Sequence, residues 1–188
     1  MTGSIEAQAG LEGEFKDEII RMYQNVADNP EGEFHFFHGR QAADMFAYDA
    51  HSLDEAPQGA VASFAVVGNP HLRSNVQPGD TVLDLGSSAG LDAIIASRST
   101  GPTGKVIGVD LNPSMYLKAQ AHAAASGSGM ECHEGRMESI PLTDESVDVV
   151  ISNGVINLSF QKRKVIEEMF RVLRPGGRIS ITDIVSAK

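Results

Sequence analysis

Short apolar segments alternate with longer segments of helical periodicity throughout the sequence from Thr81 onward. Such alternation is typical of crossover units, in which a helix joins each strand to the next strand of a parallel sheet. The predicted strands are TVLDL (81–85), KVIGVD (105–110), MECHE (130–134), VDVVIS (147–152) and RISITDIV (178–185). The predicted helices cover 90–99, 113 to about 126, and about 159 to 173. The sequence therefore predicts an α/β fold built on a mainly parallel sheet.

Residues that favour the start or the end of a helix occur at several of these predicted boundaries. Asn112 can cap the second helix, Pro113 suits its first turn, and Gly127 suits its end. Pro175, Gly176 and Gly177 are expected to stop the last helix before the final strand.

The N-terminal part of the chain follows a different pattern. Residues 14–27 place Phe15, Ile19 and Val26 at helical spacing, which predicts an amphipathic helix. Residues 28–80 are punctuated by proline and glycine, which indicates short helices and loops. We expect an N-terminal helical extension or lid over residues 1–68 and a ligand-binding core over residues 69–188.

Composition narrows the range of functions. A chain of 188 residues is long enough for one well-buried domain. The net charge is -10 and no stripe of Lys and Arg occurs, so we do not expect nucleic acid as a partner. The single cysteine, the lack of a recognisable signal peptide and the lack of an apolar run of about 18 residues predict a cytoplasmic protein without membrane contact.

The loop after the first predicted strand indicates the type of ligand. A dinucleotide-binding loop would place glycines at positions 86, 88 and 91, but Ser88 and Leu91 occupy two of these positions. Asp84 would also repel a pyrophosphate. S-adenosylmethionine carries no phosphate, and its ammonium and sulfonium groups suit an acidic loop of small residues.

The pattern Asp84-x-Gly86-x-Ser88-x-Gly90 resembles the first motif of class I S-adenosylmethionine-dependent methyltransferases, with Ser88 in place of the usual glycine. The resemblance covers about residues 69–185 and implies a Rossmann-like sheet. It also implies roles at successive strand ends: Asp110 would bind the ribose hydroxyls, Asn153 would lie at the methionine end, and Arg136 stands where many relatives have an acid. The cofactor-binding residues implied in this way are Asp84, Gly86, Ser87, Ser88, Gly90, Asp110, Leu111, Met115, Arg136, Met137 and Asn153.

Within this class, VGNP, GPTGKVIGVD, VDVVISN-x-VINLS and KRKV-x-EE-x-FRVLRPGGR resemble the arsenite methyltransferase group. That group usually has cysteines at the positions of Val67 and Gly154, and trivalent arsenic requires thiolate ligands. Cys132, the only cysteine, lies within a predicted strand and is expected to pack as a small apolar side chain. We therefore expect methyl transfer to an unidentified small-molecule acceptor other than arsenite.

Candidate catalytic residues lie in FHFFHGR (34–40). An oxygen or nitrogen acceptor must lose a proton, and His35 and His38 are the candidate bases; packing within an aromatic lid is the alternative. The two histidines would share one helix face, but no further ligand completes a metal set nearby, so no metal is expected. Two other functions remain open: a cofactor-binding protein or subunit without transfer activity, and a nicotinamide-dependent oxidoreductase, which the glycine spacing opposes.

The resemblance also bears on the C-terminal end of the sheet. Members of this class normally continue past the fifth strand with a helix and an antiparallel pair of strands, which the present sequence does not include. We therefore expect the fifth strand to be an apolar edge, with Ile179, Ile181, Ile184 and Val185 available for pairing with another copy or another chain.

Overall fold

The computed structural model describes residues 2–30, 32, 34 and 36–186, so His35 lies outside the described residues. The helices are α1 (Thr2–Asp28), α2 (Gly39–Met45), α3 (Ala50–Asp54), α4 (Gln58–Ala62), α5 (His71–Ser74), α6 (Leu91–Thr100), α7 (Pro113–Ser126) and α8 (Lys162–Val172). The strands are β1 (Thr81–Leu85), β2 (Lys105–Asp110), β3 (Glu131–Glu134), β4 (Val147–Asn153) and β5 (Leu173–Thr182).

The five strands form one parallel sheet in the order β3-β2-β1-β4-β5. This arrangement confirms the predicted mainly parallel α/β sheet. The strand order reverses direction at β1, since the chain passes from β1 to β2 and β3 on one side and to β4 and β5 on the other. Ligands of open parallel sheets bind at such a switch point, beyond the carboxyl ends of the strands.

Helices cover both faces of the sheet, and residues of β1 alternate between them. Leu83 packs with Val165 on the face covered by α8. Val82 packs with Ala93 of α6 and Ala119 of α7 on the opposite face. β1 is thus buried on both faces, with the apolar residues Val82 and Leu83 on opposite sides of the sheet.

The predicted bounds of a helix agree with the structure where capping residues fix its ends. The Asn112 side chain accepts hydrogen bonds from the backbone N–H groups of Ser114 and Met115 at 2.9 and 3.3 Å, and Pro113 occupies the first turn of α7. Gly127 ends α7 in the left-handed conformation at φ 63°. These contacts explain why the predicted bounds of α7 agree with the structure.

The last helix and strand differ from their predicted bounds. α8 begins at Lys162 rather than near Ser159, because residues 156–158 form a separate 3-10 turn. β5 begins at Leu173, before the proline and glycines that were expected to separate helix from strand. A register shift in the pairing between β4 and β5 accommodates this irregular segment.

The N-terminal part packs onto the sheet layer as short helices around a shared apolar cluster. Leu53 and Ala60 are fully buried and belong to a cluster that includes Ile94 of α6. α1 lies against α7, where Asn112 Nδ2 donates to the carbonyl of Ile20 at 3.0 Å. Across the described ranges, no helix has the length and apolar composition needed to span a membrane.

Candidate functional site

A pocket lies at the carboxyl ends of β1, β2 and β4, with α1 forming its outer wall. It encloses about 1090 Å³ of space not filled by protein, including the open mouth. Its lining residues are Phe15, Lys16, Ile19, Ile20, Tyr23, Ala65, Leu85, Gly86, Ser88, Val109, Asp110, Leu111, Asn112, Met115, Gly135, Arg136, Met137, Glu138, Asn153, Val155, Leu158, Ser159, Phe160 and Gln161. About half of these side chains are apolar, and polar or charged side chains lie among them, so the pocket offers both apolar surface and hydrogen-bonding groups to a small organic ligand.

The glycine loop forms the floor of the pocket. Gly86 has φ 79°, and a Cβ atom there would lie 2.5 Å from Val155 Cγ2, so any larger residue would collide. Ser88 also has a positive φ of 49°, and its hydroxyl donates to the sulfur of Met115 at 3.4 Å. The serine that departs from the usual glycine is therefore accommodated, at the strain that a positive φ imposes on a non-glycine residue.

Asp110 ends β2 and directs its carboxylate into the pocket. The carboxylate accepts the backbone N–H of Ser88 at 2.7 Å and the backbone N–H of Asn112 at 2.8 Å. Burial raises the pKa of Asp110, while these backbone donors oppose the rise. Each carboxylate oxygen has a second lone pair, so Asp110 can accept further hydrogen bonds from a ligand.

Asp84 lies beneath the glycine loop and is not among the residues that line the pocket. Its side chain is 2 % exposed and accepts a hydrogen bond from the backbone N–H of Ala93. Within the described part of the chain its Oδ2 atom has no hydrogen-bond partner. Burial raises the pKa of Asp84 well above its usual range, and the neighbouring carboxylates of Asp92 and Asp110 raise it further. Its influence on a ligand would be exerted through the floor of the pocket rather than by lining it.

Ser87 and Gly90 also lie outside the pocket lining and shape the loop from behind. A Cβ atom on Gly108 of β2 would lie 2.8 Å from Ser87 Oγ, so the loop rests closely on the strand. Gly90 has φ 90° and precedes the first residue of α6, where a side chain would approach Met130 Cε at 3.0 Å. Both residues therefore hold the loop conformation.

The Asn153 side chain is saturated by contacts within the protein. Its Nδ2 lies within hydrogen-bond distance of three acceptors, Tyr48 Oη at 3.0 Å, Gly68 O at 3.0 Å and Asp92 Oδ2 at 3.1 Å, which its two N–H groups share, and its Oδ1 accepts from Val67 N at 3.3 Å and from Thr182 Oγ1 at 2.9 Å. An amide has two N–H donors and one carbonyl acceptor, so these partners leave no free group for a ligand. Asn153 lines the pocket and joins the segment before α5 to the end of β4.

Glu138 is a pocket residue that the sequence pattern did not identify. Its side chain is 16 % exposed; Oε1 accepts the Ser159 hydroxyl at 2.6 Å, and Oε2 lies 3.4 Å from Arg136 Nε. Leu111 and Met137 line the same pocket with apolar side chains. The predicted residues Arg136 and Met137 are thus brought together with Asp110 and Leu111, and Glu138 adds a second carboxylate.

α1 contributes one complete wall of the pocket. Tyr23 lines it, and burial together with the charges of Asp110 and Asp183 raises the pKa of its phenol to about 12, so it remains a neutral hydroxyl at physiological pH. At the mouth, the rings of Phe15 and Phe160 meet edge to face with centroids 5.1 Å apart.

The candidate catalytic histidine His38 lies outside the pocket lining. Its ring packs edge-on against Phe34 and Phe36, with centroid distances of 5.0 and 6.3 Å. This arrangement corresponds to the aromatic-packing alternative rather than to a base within the pocket. Among the described residues, no group of three His, Cys, Asp or Glu side chains could hold a metal ion.

Val67 and Gly154, the positions at which the arsenite methyltransferase group usually has cysteines, lie beside each other in space. A Cβ atom on Gly154 would lie 3.1 Å from Val67 Cγ2, so side chains at these positions would be in contact. Cys132, by contrast, is half-buried in β3, and burial, with a contribution from the charge of Asp84, raises the pKa of its thiol to about 11. A protonated thiol is a poor metal ligand and nucleophile.

Comparisons with known proteins agree with this geometry. The family model described as "Methyltransferase domain" matches residues 77–188. The chain is 43% identical over 144 residues to an arsenite methyltransferase of Halobacterium salinarum, covering 76% of this chain and 37% of that protein. It is 37% identical over 113 residues to the ubiquinone/menaquinone biosynthesis C-methyltransferase of Salmonella arizonae, covering 58% of this chain and 45% of that protein.

Among solved structures, the arsenic (III) S-adenosylmethionine methyltransferase of Chlamydomonas reinhardtii superposes with a TM-score of 0.65 at 37% identity. The alignment covers 71% of this chain and 47% of that one. The chain therefore spans less than half the length of each of these three relatives.

Proposed function

Because the chain belongs to the methyltransferase domain family, we propose that its pocket binds S-adenosylmethionine and that the protein transfers the cofactor's methyl group to a small-molecule acceptor. The observation that carries the proposal is Asp110, a carboxylate at the end of β2 that is held by two backbone N–H groups and directed into the pocket. A carboxylate at this position of a parallel sheet is suited to accept both hydroxyls of a ribose.

The residues of the pocket fit the cofactor. Gly86 provides a concave surface that a Cβ atom would fill, which allows a ligand to approach the backbone closely. Leu111 and Met115 provide apolar contacts for an adenine ring. Asp84 lies beneath the loop with one carboxyl oxygen that has no partner among the described residues, and a cationic ligand nearby would lower its raised pKa and favour the ionised form.

Bound S-adenosylmethionine supplies an electrophilic methyl group on a sulfonium, which an acceptor attacks in line. The chain's own contribution is to hold the reactants in this geometry, which can account for much of the rate of such a transfer. α1 lines one side of the pocket with Ile19, Ile20 and Tyr23 and so shields that side from solvent. His38 packs against aromatic rings, which favours an acceptor that does not depend on this residue as a base.

The acceptor is proposed to be a small molecule other than trivalent arsenic. One relative is named an arsenite methyltransferase and another a C-methyltransferase of ubiquinone/menaquinone biosynthesis, so similarity to these proteins does not by itself fix the acceptor. The neighbouring positions Val67 and Gly154 supply no thiolate, and soft thiolate ligands are what a thiophilic element requires.

Calorimetric titration with S-adenosylhomocysteine tests the cofactor site. We expect Asp110→Ala to weaken binding at least tenfold, because hydrogen bonds to a charged group contribute about 1.5 to 3 kcal/mol. The control is Asp54→Ala, which removes an exposed carboxylate that does not line the pocket. Unchanged affinity in a folded Asp110→Ala protein would refute the assignment of Asp110 to the cofactor site.

The same titrations distinguish the alternative functions. Binding of NADH instead of S-adenosylhomocysteine would favour an oxidoreductase, and cofactor binding without methyl transfer in an acceptor screen would favour a cofactor-binding subunit.

A second experiment tests the acceptor. The protein is incubated with arsenite, a thiol reductant and labelled S-adenosylmethionine, and methylated arsenic is measured. We expect no product above background, because no pair of thiolates is available at positions 67 and 154. The matched control is a relative that has cysteines at both positions. Turnover comparable to that control would show that arsenic is bound without them.

The outer edge of β5 is proposed to pair with a second copy of the chain, which is supported by its exposed isoleucines Ile179 and Ile181. A cytoplasmic location is proposed because the one thiol, Cys132, is free and suits a reducing compartment.

A further inference from the structure

Asp84 lies beneath the glycine loop, is 2 % exposed and does not line the pocket, so it is not placed to touch a ligand. We propose that Asp84 nevertheless distinguishes the two forms of the cofactor by their charge: its carboxyl group keeps its proton in the complex with S-adenosylhomocysteine and releases it to solvent when the sulfonium of S-adenosylmethionine is bound above the loop. This inference rests on the proposed function, since it names the residue that favours substrate over product within that site.

Asp84 receives fewer hydrogen bonds than the carboxyl groups beside it. It accepts the backbone N–H of Ala93, and its Oδ2 has no partner among the described residues. Asp110, in contrast, accepts the backbone N–H groups of Ser88 and Asn112 at 2.7 and 2.8 Å. Hydrogen bonds from N–H donors stabilise the ionised form of a carboxyl group, so Asp84 is less able than Asp110 to carry a negative charge.

Asp92, the other neighbouring carboxylate, has polar partners at both oxygens. Its Oδ1 accepts the Tyr48 hydroxyl at 2.7 Å and lies 2.9 Å from His71 Nε2, and its Oδ2 lies 3.1 Å from Asn153 Nδ2. Both neighbours are therefore better placed than Asp84 to hold negative charge. In the absence of a cation, the proton of the cluster resides on Asp84.

The other titratable groups near Asp84 bring no permanent positive charge to it. Tyr48 and Cys132 of β3 lie in its field, and burial raises the pKa of both the phenol and the thiol, so both groups stay neutral at physiological pH. His71 contacts the cluster through Asp92. The groups that shift the pKa of Asp84 are carboxylates and a backbone donor, with no lysine or arginine among the described residues.

A sulfonium bound above the loop supplies the missing positive charge. S-adenosylmethionine and S-adenosylhomocysteine share the adenine, the ribose and the amino acid group, and only the first has a charged sulfur. Two unit charges about 10 Å apart, at an effective dielectric constant of about 20, change an equilibrium constant by roughly tenfold. The coupling is reciprocal: a charge that promotes ionisation of Asp84 is itself bound more tightly, by the same factor, once Asp84 is ionised.

Methyl transfer removes this charge. The methyl group leaves with the acceptor, the electron pair of the broken S–C bond stays on sulfur, and the sulfur becomes neutral. Asp84 then takes a proton back from solvent, and the product loses the attraction that held the substrate. The preference for the charged form thus favours replacement of the product by fresh cofactor.

Calorimetry of the full chain with both cofactor forms tests this proposal. Affinities are measured from about pH 5, roughly one unit above the ordinary pKa of aspartate, to about pH 8. We expect the ratio of affinities to shift toward S-adenosylmethionine by about fivefold or more as the pH rises, because the ionised carboxylate binds the sulfonium form better. Titrations in buffers of different ionisation enthalpy should show more proton release with S-adenosylmethionine than with S-adenosylhomocysteine.

Two matched variants assign the effect to a residue. Asp84→Asn keeps the shape of the side chain and cannot ionise, so we expect it to lose the contribution of Asp84 to the pH dependence of the ratio and to the difference in proton release. The amino groups of both ligands still titrate with this variant, which therefore corrects for them. Asp54→Asn, which changes an exposed carboxylate outside the pocket, should behave as the wild type does.

The outcomes separate this inference from the proposed function. If the wild-type protein binds neither ligand, the cofactor assignment itself fails. If it binds both with a ratio and a proton release that do not differ with the charge of the sulfur, the role of Asp84 is overturned while the cofactor site stands, even should Asp84→Asn fail to fold. A pH dependence of the ratio that persists unchanged in folded Asp84→Asn protein would also overturn it, and would assign the proton to another group.

Discussion

At the scale of single residues, Asp84 lies in an environment that disfavours an ionised carboxylate. It is buried beneath the glycine loop, it accepts one backbone N–H, and its Oδ2 has no partner among the described residues. Asp92 and Asp110 add negative charge nearby, Tyr48 of the N-terminal segment faces the same cluster, and Cys132 of β3 also experiences the field of Asp84. These conditions together raise the pKa of Asp84 and favour its protonated form.

A consequence is that folding stability should depend on pH through Asp84. In the unfolded chain the carboxyl ionises near pH 4, whereas in the folded protein it keeps its proton to a higher pH. Its contribution to stability is therefore fully present below about pH 4 and is lost as the pH rises through the folded-state pKa. Asp84→Asn keeps the shape without the charge. We expect this substitution to reduce the pH dependence of the free energy of unfolding above about pH 4 and to stabilise the protein at pH 7 by roughly 1 to 3 kcal/mol.

The measurement is urea unfolding of both proteins at several pH values from 3.5 to 8, where the lowest value is about half a unit below the ordinary pKa of aspartate. The exposed substitution Asp54→Asn serves as the control for a general change in net charge. If the free energy of unfolding changes with pH by the same amount in the wild type and in Asp84→Asn, Asp84 ionises in the folded protein as it does in the unfolded chain.

The site residues that could be predicted from sequence are those whose position follows directly from a strand end. Gly86 follows β1 directly, Asp110 is the last residue of β2, and both line the pocket. The saturation of Asn153 could not be predicted, because its partners Gly68 and Tyr48 lie 85 and 105 residues earlier in the chain. Glu138 was missed for a related reason: its fixed orientation depends on Ser159, which lies 21 residues away on the loop after β4.

At the scale of elements, the predicted bounds of α7 agree with the structure because its capping residues are local. The predicted bounds of β5 differ from those in the structure. The cap residue Asn112 illustrates how one side chain can serve two elements: its Oδ1 caps α7, and its Nδ2 binds the carbonyl of Ile20 in α1. A sequence pattern indicates the first contact and not the second, since Ile20 lies 92 residues earlier. The placement of α1 over the pocket thus depends on tertiary contacts, including the pair of rings formed by Phe15 and Phe160.

At the scale of the whole molecule, the parallel sheet has β5 at one edge, paired only with β4 within the described residues. Ile179 pairs in register with Val150, so it lies on the face covered by α8. Ile179 and Ile181 remain 41 % and 38 % exposed, and α8 itself exposes Phe170. An edge with free backbone groups and apolar side chains is a surface on which another strand can pair.

We therefore expect the 188-residue polypeptide to associate with a second copy through β5. Light scattering over a range of concentrations should show a mass that rises from monomer toward dimer. Ile181→Lys should shift the equilibrium toward monomer, because a charged side chain on an edge strand opposes pairing. Leu117→Lys, a change of the same kind at an exposed position on α7, should leave the mass unchanged. A wild-type protein that stays monomeric while the amides of β5 resist hydrogen exchange would show that the edge is covered within one chain, and the association would then have to be abandoned.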